Sequence, residues 1–142
     1  MFNGYLPAIL ASIVTTLEVA LLSLLFSVLL GLLGASLKLS PFAWLRWPAT
    51  LYTTVMRGIP DLVAMLLLFY GMQIVFNAFS EHYHLPQWDI NPFIAGVGTL
   101  TLIYGAYFSE TFRGAFLAVP TGHLEAAYAY GMLRRQVFVR VL

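Results

Sequence analysis

The sequence VALLSLLFSVLLGLLGASL, residues 19–37, contains no charged side chain. A helix needs about 20 apolar residues to cross the hydrocarbon core of a bilayer. This stretch approaches that length, and so do two further charge-free stretches at residues 62–80 and 90–109. The sequence therefore predicts three membrane-spanning helices.

The composition favours the same class of protein. Of 142 residues, 61% are hydrophobic and 9% are charged, and the mean hydropathy is +0.85, which is too apolar for a soluble domain. Strands of a membrane β-barrel alternate polar and apolar residues, and the charge-free stretches do not. We therefore expect an all-α membrane protein with spans at about residues 13–38, 58–80 and 92–113. Residues 1–12 are expected to form an interfacial helix or an approach to the first span.

The basic residues are distributed unevenly. Three lie between the first and second spans and four lie at or beyond the end of the third, namely Lys38, Arg46 and Arg57, then Arg113, Arg134, Arg135 and Arg140. The loop at residues 81–91 has none and carries Glu81 and Asp89. Because Lys and Arg concentrate in cytoplasmic loops, this loop is predicted to lie outside the cytoplasm. The N-terminus is then outside, and residues 120–142 form a cytoplasmic segment.

Small residues recur along two of the predicted spans. They are Ser23, Ser27, Gly31 and Ala35 in the first and Thr101, Gly105 and Ser109 in the third. Stripes of small residues at intervals of four let another helix approach closely. The partner is either a helix of the same chain or one of a second subunit.

Four charged residues near the spans are candidates for a translocation path or a gate, because ionisable groups in a membrane are costly. They are Glu18, Asp61, Glu110 and Arg113. Each also has a purely structural interpretation. Glu18 can be a hydrated carboxylate at the outer boundary, and Asp61 can cap a helix and pair with Arg57. Glu110 and Arg113 are three residues apart and can pair on one helix.

The segment PTGHLEAAYAYG, residues 120–131, follows the third span. Thr121 is predicted to cap a short helix, Glu125 lies in its first turns, and Gly131 suits a left-handed terminus. A second helix is predicted from Met132 to Leu142. The segment is therefore either a helix-Gly-helix elbow or an ordinary connecting loop.

Several motifs together resemble a known family. Glu125-Ala126-Ala127, with Gly131 following, resembles the EAA loop of bacterial ABC importer permeases. Residues 52–63, which include Arg57, Gly58 and Pro60, and residues 105–115 resemble the permeases for polar amino acids. The resemblance covers nearly the whole chain and favours the histidine, lysine, arginine and ornithine branch, although this chain is too short to show the Leu-Pro pair that ends the family's motif.

The resemblance implies a function for each part. The helix at Glu125, Ala126, Ala127 and Gly131 would couple to a cytoplasmic ABC ATPase dimer in a bacterial inner membrane. The other partners would be a second permease subunit, a periplasmic amino-acid-binding protein and membrane lipid, with no nucleic acid. Full-length members have five spans, so we expect the chain to be truncated after three. The transported substrates would be basic amino acids, with glutamine or another polar amino acid as the alternative.

The sequence also bears on catalysis. A phosphate-binding loop ends in Gly-Lys-Ser or Gly-Lys-Thr, and the single lysine, Lys38, follows Leu37. We therefore expect ATP and Mg²⁺ to be used by the partner ATPase. The sequence also has no zinc-protease pair, nucleophile elbow or metal cluster, so we expect no catalytic residue, no metal and no bound cofactor in this chain. A secondary transporter is disfavoured because the charges lie at span ends rather than at the midplane. A noncatalytic membrane scaffold remains an alternative.

Overall fold

The computed structural model describes residues 5–82 and 91–140, and its regular structure there is entirely helical. Six helices follow in chain order, namely α1 Leu6–Leu39, α2 Ala43–Gly58, α3 Asp61–His82, α4 Pro92–Leu117, α5 Thr121–Ala129 and α6 Arg134–Arg140. Helices α1, α3 and α4 are long and apolar enough to cross a membrane. The predicted fold class, an all-α protein with three candidate spans, is confirmed.

Helix α1 is longer than a single span requires. Its 34 residues correspond to about 51 Å at 1.5 Å per residue, against about 30 Å of hydrocarbon. From Leu6 onward, the segment expected to approach the first span is instead part of this helix. Pro7 lies in its first turn, where a proline costs no intrahelical hydrogen bond.

The core of the molecule is the contact between α1 and α4. The small residues Ser23, Ser27, Gly31 and Ala35 are all buried, as are Gly105 and Ser109 on α4. Leu30 faces Gly105, and Gly34 faces Ser109. A Cβ atom at Gly31 would lie 3.1 Å from the backbone carbonyl carbon of Phe108, so the two backbones are close. The stripe therefore packs within the chain.

The order of these contacts shows that α1 and α4 run in the same direction. Along α1, Leu30, Gly34 and Lys38 meet positions of α4 that also increase in number, ending at Glu110. A parallel pair requires one helix between them to cross back, and α3 is the candidate span that does so. The C-terminal ends of α1 and α4 consequently lie on the same side of the bundle.

Helix α2 is an element that the sequence analysis did not separate from the loop before the second span. It packs on α1 and α4 through one face, where Ala49 and Thr53 are buried. It ends at Gly58, and Ile59 is extended, with φ −101° and ψ 136°. The residue before a proline avoids the helical region, so Pro60 accounts for the break between α2 and α3.

The elbow after α4 has the predicted outline with one correction. Thr121 is the first residue of α5 rather than its cap; Pro120 occupies the cap position and no side chain caps the helix. Gly131 has φ +77°, and the predicted left-handed terminus is confirmed. Helix α6 covers part of the second predicted helix, and residues 141–142 lie outside the described residues. The same holds for residues 83–90, which form most of the predicted periplasmic loop.

Candidate functional site

Three helices meet in a cluster of charged residues at the C-terminal end of α1. The Lys38 ammonium donates to Glu110 Oε1. The Arg113 guanidinium donates to Glu110 Oε2, with Nη2 at 2.9 Å and Nε at 3.0 Å. The side chains of Lys38 and Glu110 are only 10% and 16% exposed. The predicted pair of Glu110 with Arg113 is confirmed, and Lys38 is a further partner.

Helix α2 joins this cluster through Thr53. The Lys38 ammonium donates to Thr53 Oγ1 at 2.7 Å, and that oxygen lies 3.4 Å from Glu110 Oε1. Thr53 is 1% exposed. A buried ammonium is tolerated only when its charge is paired and its hydrogens find acceptors. The cluster therefore fixes α1, α2 and α4 together at one level of the bundle.

A second contact between α2 and α4 lies one residue earlier. The Tyr52 hydroxyl donates to the backbone carbonyl of Leu102. Burial raises the pKa of the Tyr52 hydroxyl to about 12, because the charged phenolate is poorly solvated there. The hydroxyl is therefore protonated at neutral pH and remains a hydrogen-bond donor.

Tyr107 connects the end of α2 with the start of α3. Its hydroxyl donates to Asp61 Oδ1 at 3.0 Å, and the Arg57 guanidinium lies over its ring, 5.7 Å from the centroid. The expected ion pair between Arg57 and Asp61 is wrong, since the two side chains form no salt bridge and instead both contact Tyr107. The reason is the extended residue Ile59, which turns the chain between them.

The charged cluster, through Thr53 and Glu110, and the contact of Arg57 with Tyr107 border a single open cleft of about 490 Å³. It is lined by Thr53, Thr54, Arg57, Gly58, Tyr107 and Glu110. The cleft presents a carboxylate, a guanidinium and hydroxyl groups, which are the groups that bind polar or zwitterionic molecules. It is thus the candidate binding site of the described residues.

Glu18 lies apart from this site. It is an exposed residue of α1, 20 positions before Lys38, which corresponds to about 30 Å along a helix. The structure thus pairs Glu110 with Arg113 and places Asp61 against Tyr107, whereas Glu18 contacts neither pair.

The elbow presents an exposed surface beyond the end of α4. Glu125 and Ala126 are exposed, whereas Ala127 is 5% exposed. The left-handed Gly131 allows the amide of Met132 to donate to the Ala127 carbonyl at 3.1 Å. The next helix packs back through Val137, which is 2% exposed. The turn thus holds α5 and α6 in a defined arrangement with the Glu125 side accessible.

Sequence reasoning missed Lys38, Thr53 and Tyr107 as parts of the site. Lys38 was counted only as a basic loop residue, and Tyr107 only as part of a motif. The available signal was the pair of small-residue stripes. If the stripes of α1 and α4 pack on each other in parallel, Lys38 lies at the level of Glu110. Without that register, residues 72 positions apart could not be paired.

The described helices define a multi-pass α-helical membrane protein with a polar cleft between α2 and the third span, α4, and a short elbow after that span. The chain belongs to the family of binding-protein-dependent transport system inner membrane components, whose family model matches residues 27–142. The resemblance to ABC importer permeases is therefore confirmed.

Individual relatives agree with the family. The histidine/lysine/arginine/ornithine transport system permease protein HisQ of Escherichia coli (strain K12) is 51% identical over all 142 residues, which span 62% of its length. The L-cystine transport system permease protein TcyB of Bacillus subtilis (strain 168) is 33% identical over 99% of this chain and 55% of its own length. A crystal structure of an amino acid ABC transporter with histidines is similar, with a TM-score of 0.73, 31% identity, and coverage of 94% of this chain and 57% of the other.

Proposed function

We propose that this chain is part of the membrane permease subunit of an ABC importer that carries basic amino acids across the bacterial inner membrane. The observation that carries the proposal is the 51% identity to the HisQ relative over the whole chain. The elbow of α5 and α6 supports it independently, because an accessible short helix beyond a span suits a partner protein.

Basic amino acids are favoured over other substrates for a specific reason. The HisQ relative is named for histidine, lysine, arginine and ornithine, and it is much more similar to this chain than the relative named for L-cystine, at 51% against 33% identity. Glutamine and other polar amino acids are therefore the second choice for the same transport mechanism.

The chain itself performs no chemistry in this proposal. Helix α5, with Glu125, Ala126 and Ala127, and the turn at Gly131 that follows it dock on a cytoplasmic ATPase dimer, which binds ATP and Mg²⁺ and hydrolyses the nucleotide. Only two residues, Val119 and Pro120, separate the C-cap of α4 from α5. Displacement of α5 is therefore transmitted to α4 as a rigid-body movement.

The charged cluster extends that movement to other helices. Glu110 of α4 holds Lys38 of α1, and Thr53 of α2 shares the contact. Because the cleft lies between α2 and α4, a movement of α4 changes its shape. We propose Asp61, Glu110 and Arg113 as gating or path residues at the cleft. Glu18 is proposed to attract cationic substrate at the outer end of α1.

The remaining partners follow from the family and from the charge distribution. A second permease subunit completes the path, and a binding protein delivers substrate from the periplasm. The N-terminus is outside, and the elbow is in the cytoplasm. Arg57, Gly58 and Pro60 act structurally, since the first two end α2 and Pro60 accounts for the break that separates α2 from α3.

Two substitutions in the full-length transporter test the coupling role. Glu125→Lys reverses an exposed charge of α5, and Gly131→Pro is incompatible with φ +77°, because proline requires φ near −65°. We expect both to abolish ATP-driven uptake of labelled arginine into proteoliposomes and to weaken binding of the ATPase, while membrane insertion persists.

Glu81→Lys is the matched control. It makes the same charge reversal at an exposed residue of the C-terminal end of α3. In the proposed topology this end lies outside the cytoplasm, so the ATPase should bind normally. Normal ATPase binding and normal uptake in both Glu125→Lys and Gly131→Pro would refute the coupling role of α5.

A further inference from the structure

Helix α2 presents three faces that differ in chemistry. One face packs on α1 and α4. A second is apolar and exposed, and we call it the tryptophan face; its members and their exposed fractions are Trp44 (73%), Trp47 (69%), Leu51 (49%) and Val55 (43%). Spacings of three and four residues place these side chains on one side of a helix. The third face is polar and exposed, with Arg46, Thr50, Thr54 and Arg57.

The charged residues of the polar face, Arg46 and Arg57, are both basic. No acidic residue occurs between residues 38 and 60. Arg57 is engaged by the Tyr107 ring, whereas Arg46 is exposed and forms no salt bridge within the described part of the chain. Arg46 lies between Trp44 and Trp47 in the sequence. A cation therefore sits at the edge of an aromatic surface with no protein carboxylate assigned to it.

The position of α2 limits what can cover this surface. Its 16 residues extend about 24 Å, and it does not meet the criteria for a candidate span. It begins four residues after α1, a candidate span, has ended at Leu39. The start of α2 is therefore placed at a membrane surface, where indole rings are enriched because they are apolar with one N–H donor.

We propose that α2 lies in the membrane interface and binds anionic phospholipid of that leaflet. The tryptophan face enters the boundary between headgroups and acyl chains, and the Arg46 guanidinium binds a lipid phosphate. Phosphate oxygens accept paired hydrogen bonds from guanidinium, and amphipathic helices with basic polar faces bind anionic lipid in this orientation. The lipid supplies the negative charge that the segment from residue 38 to residue 60 lacks.

Fluorescence quenching tests where the tryptophan face lies. The full-length protein is reconstituted in nanodiscs with phospholipids brominated either near the headgroup or near the acyl-chain end. Emission is compared with that of Trp44→Phe and Trp47→Phe, so that the difference isolates each indole. For each of the two tryptophans, we expect stronger quenching by the lipid brominated near the headgroup than by the lipid brominated near the acyl-chain end. Components that neither lipid quenches would show that protein covers this face, which overturns the proposal.

A lipid-selectivity measurement tests the role of Arg46. Electron paramagnetic resonance of spin-labelled phosphatidylglycerol and phosphatidylcholine reports which lipid is immobilised beside the protein. We expect Arg46→Gln to reduce the preference for phosphatidylglycerol by about fivefold and Arg46→Lys to retain most of it. Because Arg46 is exposed, neither variant should affect folding. An unchanged preference in Arg46→Gln would overturn the assignment of an anionic headgroup.

Discussion

Glu110 receives contacts from two other helices and from its own. Its carboxylate accepts from Lys38 of α1 and from Arg113 one turn further along α4, and it lies beside Thr53 of α2. A carboxylate and an ammonium buried together are not a strong source of net stability, because both lose hydration. The pair instead fixes the relative positions of the helices, since both charges are neutralised only when α1, α2 and α4 are in register.

Removal of one member of the buried pair should be costly. Glu110→Leu leaves the nearly buried Lys38 ammonium without its carboxylate, and we expect the free energy of unfolding to fall by about 3 kcal/mol. Lys38→Met should have a smaller effect, because Arg113 still neutralises Glu110. Unfolding of the full-length protein in mixed micelles at increasing dodecyl sulfate concentration measures both variants.

The double variant Lys38→Met with Glu110→Leu is the control for this prediction. It removes both charges, and Arg113 is 35% exposed and so can reach water. We expect the double variant to be more stable than Glu110→Leu alone. Strictly additive losses would show that Lys38 and Glu110 are not coupled.

At the scale of helices, the contact between α1 and α4 depends on the absence of side chains. Gly31 lies against the backbone of Phe108, and Gly34 lies against Ser109. Dispersion between closely approaching helices replaces the hydrophobic effect within lipid. The small-residue stripe in the sequence therefore correctly indicated a face of close helix packing. The sequence around the stripe did not indicate which helix packs against it.

An alanine at Gly31 should separate these helices. Its Cβ would meet the Phe108 backbone, which cannot rotate away, and we expect Gly31→Ala to lower the free energy of unfolding by about 2 kcal/mol. Gly71→Ala is the matched control, because a Cβ at Gly71 meets nothing within 4 Å. That control should be neutral or stabilising, since alanine favours a helix over glycine by up to about 1 kcal/mol. Equal effects at the two positions would contradict the packing described.

Helix α2 shows why part of the fold was not predicted. Its basic residues marked it as a loop in the sequence, although its buried and exposed positions follow a helical period. The stripes in α1 and the left-handed Gly131 were predictable because they depend on local spacing and on one backbone angle. The ion pair of Lys38 with Glu110 was not, because it depends on the parallel register of two distant helices.

At the scale of the whole molecule, the parallel order of α1 and α4 places the Lys38 cluster and the elbow on one side. We propose that this side is cytoplasmic, as the distribution of basic residues predicts. A cysteine at Glu81 should then react with a membrane-impermeant thiol reagent added to intact spheroplasts, and a cysteine at His123 should react only after permeabilisation. The opposite pattern would invert the proposed topology.

The assembly into a transporter is the central claim, and it is tested most directly by recovering the partners. The complete tagged protein is purified from its native membrane in mild detergent, and the bound chains are identified by mass spectrometry. We predict recovery of an ABC ATPase together with a second permease subunit. Repeated recovery without any ATPase, under conditions that preserve known membrane complexes, would contradict the account.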